Sequence, residues 1–191
     1  MNEKLYLHIP SFEELDYRQM ILGKPSTMSY NRGYQLGVDN YNNEIWRTTF
    51  REWGEKLIKY INCLKTITED NIKGFFDGWT NPPTTQRHIN ILENSSYFWL
   101  AIDSNTGNVV GFINAISDKT LCAYIPLLEV ITEYKGKGIG SELVTLMFNT
   151  LKDYYMIDLL CNDSLTDFYK RFNMFESKGM MIRNFKMQCG K

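Results

Sequence analysis

Tyr134-Lys135-Gly136-Lys137-Gly138-Ile139-Gly140-Ser141 stands between a strand-like run, residues 123–131, and an amphipathic helical pattern that starts near Gly138. A strand, then glycines and lysines, then a helix start is a way of holding a pyrophosphate. Glycine lets the backbone approach an anion with no Cβ in the way. The first N–H groups of a helix point at such an anion, and the helix dipole favours negative charge there. Lys135 and Lys137 add positive charge. Two common phosphate loops do not fit. No glycine is followed by Lys-Ser or Lys-Thr in the frame of a P-loop, and the third glycine is misplaced for a dinucleotide G-x-G-x-x-G.

The spacing that fits is [Gln/Arg]-x-x-G-x-[Gly/Ala], here Lys135-Gly136-Lys137-Gly138-Ile139-Gly140, with Lys at the first position. A second pattern follows: Asn162, then Phe168-Tyr169-Lys170-Arg171-Phe172-Asn173-Met174. Asn173 stands at a usual glycine, and Asn tolerates a left-handed backbone at a helix end better than most residues. With both motifs in this order, the chain resembles the GNAT superfamily of N-acetyltransferases, of bacterial type, over residues 61–188. The resemblance implies a mixed α/β (α+β) acyl-CoA N-acyltransferase fold, with acetyl-CoA as co-substrate and no metal. It places the cofactor on Lys135, Gly136, Lys137, Gly138, Ile139, Gly140, Ser141 and Asn162. It also implies that the pantetheine arm pairs with the central strand, where backbone N–H groups around Val130 and Ile131 polarise the thioester. Tyr169 then falls where the family's tyrosine meets the leaving sulfur.

The residues carry further readings. A phenol near pKa 10 can protonate a thiolate whose acid lies near 8.5. Tyr169 is otherwise a half-buried helix tyrosine, and Asn162 a strand-end turn residue. Glu129 is the one acid in the apolar run 125–131. An acid placed so must meet solvent or a partner, so it is the candidate base, with a structural polar role as its alternative. Tyr124 stands nearer to where relatives carry a catalytic glutamate. His88 falls on a helix on the acceptor side.

The 191 residues suit one domain with an extension, and an apolar fraction of 43% can build a core. A net charge of −1 gives no general pull toward nucleic acid or an anionic membrane. No apolar run approaches the ~18 residues of a membrane span, and the first residues lack a signal-peptide core. Four scattered cysteines and two histidines suggest neither a disulfide framework nor a metal site. The expected compartment is the cytoplasm.

Breakers and periodicity predict a strand over residues 5–9, a helix from Ser11, a loop over 29–43 and a helix over 44–60. A strand follows over 61–66 and a helix over 68–76. Thr84 or Thr85 caps a helix to Leu92, and strands 97–102 and 109–115 form a hairpin. The central strand 123–131, helix 138–152, strand 156–160, helix 165–172 and strand 180–187 complete the chain. Residues 1–56 are an extension shaping the acceptor cleft, and 57–191 the acetyltransferase domain. Residues 27–34 weakly resemble the N-terminal part of another acetyltransferase branch.

The expected reaction is direct acetyl transfer from acetyl-CoA to a primary amine of a small molecule or peptide. The alternative is a non-catalytic acyl-CoA-binding regulatory module of the same fold. The acceptor stays open, and a homodimer is one of the states open to the chain.

Overall fold

The computed structural model describes the backbone of residues 32–39 and 44–51, and residues 58–190 in full. The strand expected at 5–9 and the helix from Ser11 lie outside the described residues. Seven strands form one sheet in chain order: β1 Arg32–Asp39, β2 Glu44–Arg51, β3 Ile58–Ile61, β4 Tyr97–Asp103, β5 Val109–Ser117, β6 Cys122–Val130 and β7 Met156–Leu159. Neighbours are antiparallel except β6 and β7. A parallel pair needs a crossover. Helix α2, Ile139–Thr150, supplies it and packs on β4, β5 and β6. Helix α1 is Thr85–Glu93 and helix α3 is Thr166–Lys170.

Both faces of the sheet are covered at β4 and β5. Under α2 lie Trp99, Ala101, Ile113, Ala123, Leu143, Val144 and Met147; on the other face Leu100 and Phe112 meet Ile72, Phe76, Ile89 and Leu92. This is why Phe98-Trp99-Leu100-Ala101-Ile102 is apolar without alternation. The expected face of α2 is confirmed: Ile139, Leu143, Val144, Met147 and Leu151 are all buried. The 97–115 hairpin forms around Asp103, whose carbonyl accepts from Thr106 and Gly107 and whose Oδ1 accepts from the Asn105 N–H. Thr84, rather than Thr85, caps α1, accepting from the Arg87 N–H at 3.2 Å.

Several expected elements are corrected. The helix over 44–60 is instead β2 and β3, paired with each other from Trp46↔Ile61 to Thr49↔Ile58. Trp46, Phe50 and Trp53 recur at helical spacing, but Ile45-Trp46-Arg47-Thr48-Thr49-Phe50 is rich in β-branched and aromatic residues, and sheet pairing decides such cases. The loop over 29–43 holds β1. The strand at 61–66 ends at Ile61. No helix forms over 68–76. The Asn71 side chain accepts from the Thr68 N–H (2.9 Å) and donates to the Thr66 carbonyl (3.2 Å), while its own carbonyl takes the Val109 N–H at 2.7 Å. These bonds compete with a helical ladder. The helix over 165–172 shortens to α3, led in by a 3-10 turn, Asp163–Leu165. The final strand does not form: Met180 and Ile182 are exposed, and the segment holds one 3-10 turn, Phe185–Met187.

Candidate active site

The site begins where two strands part. β6 and β7 pair from Cys122↔Met156 to Ile125↔Leu159 and no further. The next residue of β6 is Pro126, which has no N–H to give a ladder. Opposite it, the β5–β6 register slips by one between Asn114 and Ile116, so β6 carries an extra residue against Ala115. A proline at a bulge is a usual way to end pairing and turn a strand. The gap opens into a cleft of about 810 Å³, with Leu127 and Glu129 on one wall and Leu159, Asn162 and Tyr169 on the other.

Beyond the gap, backbone groups are left to point into it. The Ile131 N–H is spent on the Val110 carbonyl at 3.0 Å, so Ile131 is not a free donor. Antiparallel alternation then turns the N–H groups of Leu128 and Val130 away from β5, toward the missing strand. Leu128 was not anticipated from sequence, because ladder phase is set only by the partner strand.

The glycine loop follows. A 3-10 turn, Thr132–Tyr134, leads to Lys135, and Gly136 (φ +73°) and Gly138 (φ +81°) are left-handed. Gly138 is the N-cap of α2 and provides no side-chain cap. The N–H groups of Ile139, Gly140 and Ser141 therefore have no carbonyl within the helix to bond. A Cβ on Gly140 would sit 3.8 Å from Val130 and 3.9 Å from Phe168, ordinary contacts. Lys135 Nζ reaches Thr132 Oγ1 at 3.5 Å, and the Lys137 ammonium lies 5.1 Å from the centre of the Tyr134 ring. The buried Tyr134 donates its hydroxyl to the buried Asp103, which ties the loop to the hairpin. Gly111, overlooked in the sequence, lets α2 approach: a Cβ there would be 3.2 Å from Ile139, Leu143 and Val130.

An anion cradle at a helix N-terminus, fed by a strand that has lost its neighbour, is the arrangement the two sequence motifs imply. The Acetyltransferase (GNAT) family profile matches residues 64–174. The chain belongs to that family. Its structure is similar to that of a candidate acetyltransferase from Deinococcus radiodurans R1, with 40% identity, 70% of this chain and 93% of that one covered, and a TM-score of 0.68. A Staphylococcus aureus protein of 20% identity shares the fold, with a TM-score of 0.55 over 66% of this chain and 99% of that one. The Caenorhabditis elegans protein Uncoordinated protein 58 is 24% identical over 115 residues, 58% of this chain. The chain matches only 18% of that longer protein.

In this GNAT domain Tyr169 sits on α3, buried to 8% exposure, and lines the cleft. Burial, with a smaller contribution from the nearby Cys161 thiol, pushes its hydroxyl up to about 12. Burial disfavours the phenolate, so at neutral pH the group is a proton donor. The expected left-handed Asn173 is present, at φ +62°. Asn162 is exposed on the same wall, at the N-cap of a 3-10 turn, and makes no side-chain capping bond. Ser141 lies in the first turn of α2, its carbonyl accepting from Thr145 Oγ1 at 2.9 Å.

Two other candidates have different surroundings. Glu129 lines the cleft, but its carboxylate accepts from the Phe76 N–H at 2.8 and 2.9 Å and, more weakly, from the Asp77 N–H at 3.4 Å. His88 is buried and boxed by the rings of Phe112 (4.3 Å), Phe76 (4.9 Å) and Phe75 (5.1 Å). Burial pulls its imidazole down to about 4, so it is neutral at pH 7 and packs as a core ring. Among the described residues, no group of three or more His, Cys, Asp or Glu could hold a metal ion, and no helix is long and apolar enough to cross a membrane.

Proposed function

We propose that the chain is an acetyl-CoA-dependent N-acetyltransferase that moves the acetyl group directly to a primary amine. Family membership establishes the acyltransferase class. The finer reading rests on one observation: a single cleft beside the β6–β7 gap is lined both by Lys135 of the glycine loop and by Tyr169. The cradle fits an anion: left-handed glycines, an uncapped helix start and two lysines belong to one loop. The cleft beside β6 is lined by backbone donors with no strand to pair.

In this reading acetyl-CoA supplies a thioester carbonyl and a thiolate leaving group. Gly136 to Ser141 hold the pyrophosphate, and Asn162 holds the pantetheine amide. One of the two N–H groups, that of Leu128 or that of Val130, stabilises the oxyanion that develops as the amine nitrogen bonds to carbon; they stand about 7 Å apart along the strand, so the other is left for the pantetheine arm. As the C–S bond breaks, Tyr169 gives its proton to sulfur. The phenolate left behind is a stronger base than the thiolate, so it takes back the proton that the nitrogen loses as the amide forms, and amide, thiol and neutral Tyr169 result. The amine must arrive neutral, since a lysine-type amine is less than ~0.1% neutral at pH 7. Small-molecule and peptide amines both fit this chemistry. Residues 1–56 remain an extension in this reading, although β1 and β2 continue the sheet from β3.

Calorimetric titration with acetyl-CoA, beside a Gly138→Asp variant, tests the donor site, and thiol release across an amine panel tests transfer. Saturable binding lost in the variant supports the reading. Tight CoA binding with no transfer to any amine would select the non-catalytic module instead.

A further inference from the structure

Glu129 is the acid the sequence offers as a base, yet its surroundings give it another task. Both oxygens lie within 2.9 Å of a single N–H, that of the buried Phe76. The bond leaves other lone pairs of the carboxylate open, but it ties the side chain to one backbone group. The segment that Glu129 holds is unusual in backbone: Gly74 (φ +85°), Phe76 (φ +62°) and Gly78 (φ +79°) are all left-handed within five residues. A non-glycine residue at φ > 0 is strained and persists only where neighbours hold it. Glu129 bonds the middle of this segment from β6, 53 positions away in sequence.

The segment carries Asp77 and Trp79 to the rim of the cleft. Asp77 is exposed and makes no salt bridge among the described residues. Trp79 packs edge-on to Phe76 at 5.2 Å. Phe185 and Met187 of the C-terminal segment also line this cleft. That segment is tied across the same end: the Asn81 N–H bonds to Gln188 Oε1 at 3.0 Å, and Arg87 donates to the carbonyls of Cys189 and Gly190 at 3.1 Å.

We propose that Glu129 is a positioning residue, holding residues 74–79 so that Asp77 and Trp79 receive the acceptor, a cationic amine with an apolar body. Asp77 draws the ammonium, Trp79, Phe185 and Met187 cover the apolar part, and the Glu129 carboxylate keeps the loop in its left-handed form. This assignment of the amine end rests on the transferase reading above; the holding role does not.

Amide exchange followed by NMR, with no acceptor present, tests the holding role. In Glu129→Ala the Phe76 amide should exchange about tenfold faster or more, and in Glu129→Gln, which keeps an acceptor oxygen, within about threefold of wild type. Unchanged exchange in the alanine variant overturns it. Tyramine, cationic with an aromatic body, is the probe for the amine end. Asp77→Asn and Glu129→Ala should each raise its KM about tenfold, with kcat within about threefold and acetyl-CoA affinity unchanged. A collapse of kcat at constant KM in both Glu129 variants would make Glu129 the base and overturn the proposal. If wild type binds acetyl-CoA but acetylates no amine, the transferase reading fails. Exchange still decides the role of Glu129, and a tyramine titration read at the Trp79 indole N–H decides recognition, an unmoved signal overturning it.

Discussion

The two ends of the cleft are built in different ways. At the proposed donor end, residues 131–141 are one continuous segment that offers backbone N–H groups and two left-handed glycines. At the proposed acceptor end, residues 74–81 and 185–190 meet through bonds spanning about a hundred positions, and a carboxylate from β6 accepts from the Phe76 N–H. The first is a property of a short stretch of chain. The second exists only when distant parts of the molecule have assembled. In the proposed reading the donor is held by a local motif, while the acceptor is met by long-range geometry.

The largest expected effect breaks the donor end. Gly138→Asp puts a side chain on a left-handed residue and a negative charge at the cradle. Acetyl-CoA affinity should fall by ~4 kcal/mol, about a thousandfold, in calorimetric titration, with the fold retained by circular dichroism. The next probes the packing beneath the acceptor loop. His88 has a folded pKa of about 4 against 6.5 for its ordinary value. The unfolded chain therefore binds the extra proton first. Stability from this residue is complete above pH 6.5 and lost as pH falls toward 4, by about 3 kcal/mol. Chemical denaturation from pH 7 to pH 4 should show this slope, and a His88→Leu variant should flatten it.

Tyr169→Phe tests the link between the two ends. Turnover should drop by about a hundredfold, ~2.7 kcal/mol, while acetyl-CoA affinity stays within about twofold. Equal turnover would return Tyr169 to a packing role. The smallest expected effect sharpens the contrast. Gly140→Ala meets only ordinary contacts, so stability should shift by less than ~0.5 kcal/mol. Gly111→Ala, crowded at 3.2 Å by three side chains, should cost about 1–3 kcal/mol in the same thermal melts.

Much of the fold was legible where local signals agree. The 97–115 hairpin, α2 with its apolar face and the Asn173 turn were all readable. The failures fall where local signals conflict or are weak. Ile45-Trp46-Arg47-Thr48-Thr49-Phe50 carries both a helical spacing of aromatics and strand-forming residue types. The cluster Asp39-Asn40-Tyr41-Asn42-Asn43 has the composition of a turn between strands, a signal that would have divided β1 from β2. Residues 68–76 looked helical from their acids, but Asn71 turned its side chain on the backbone. Asp77, Trp79 and Leu128 had no motif to mark them, because each matters only for what stands beside it.

The sequence by itself determined the glycine loop, the helix that it opens and the short helix that carries Tyr169, since glycine spacing, helix capping and apolar periodicity act within a few residues of one another. Only the tertiary structure decided that the Ile131 N–H is spent while that of Val130 is turned to the gap, because ladder phase depends on a partner strand. It alone decided that Glu129 holds a backbone N–H, and that His88 is a neutral ring among phenylalanines. Hydrogen bonds and burial between residues far apart in sequence leave no periodic trace in the chain.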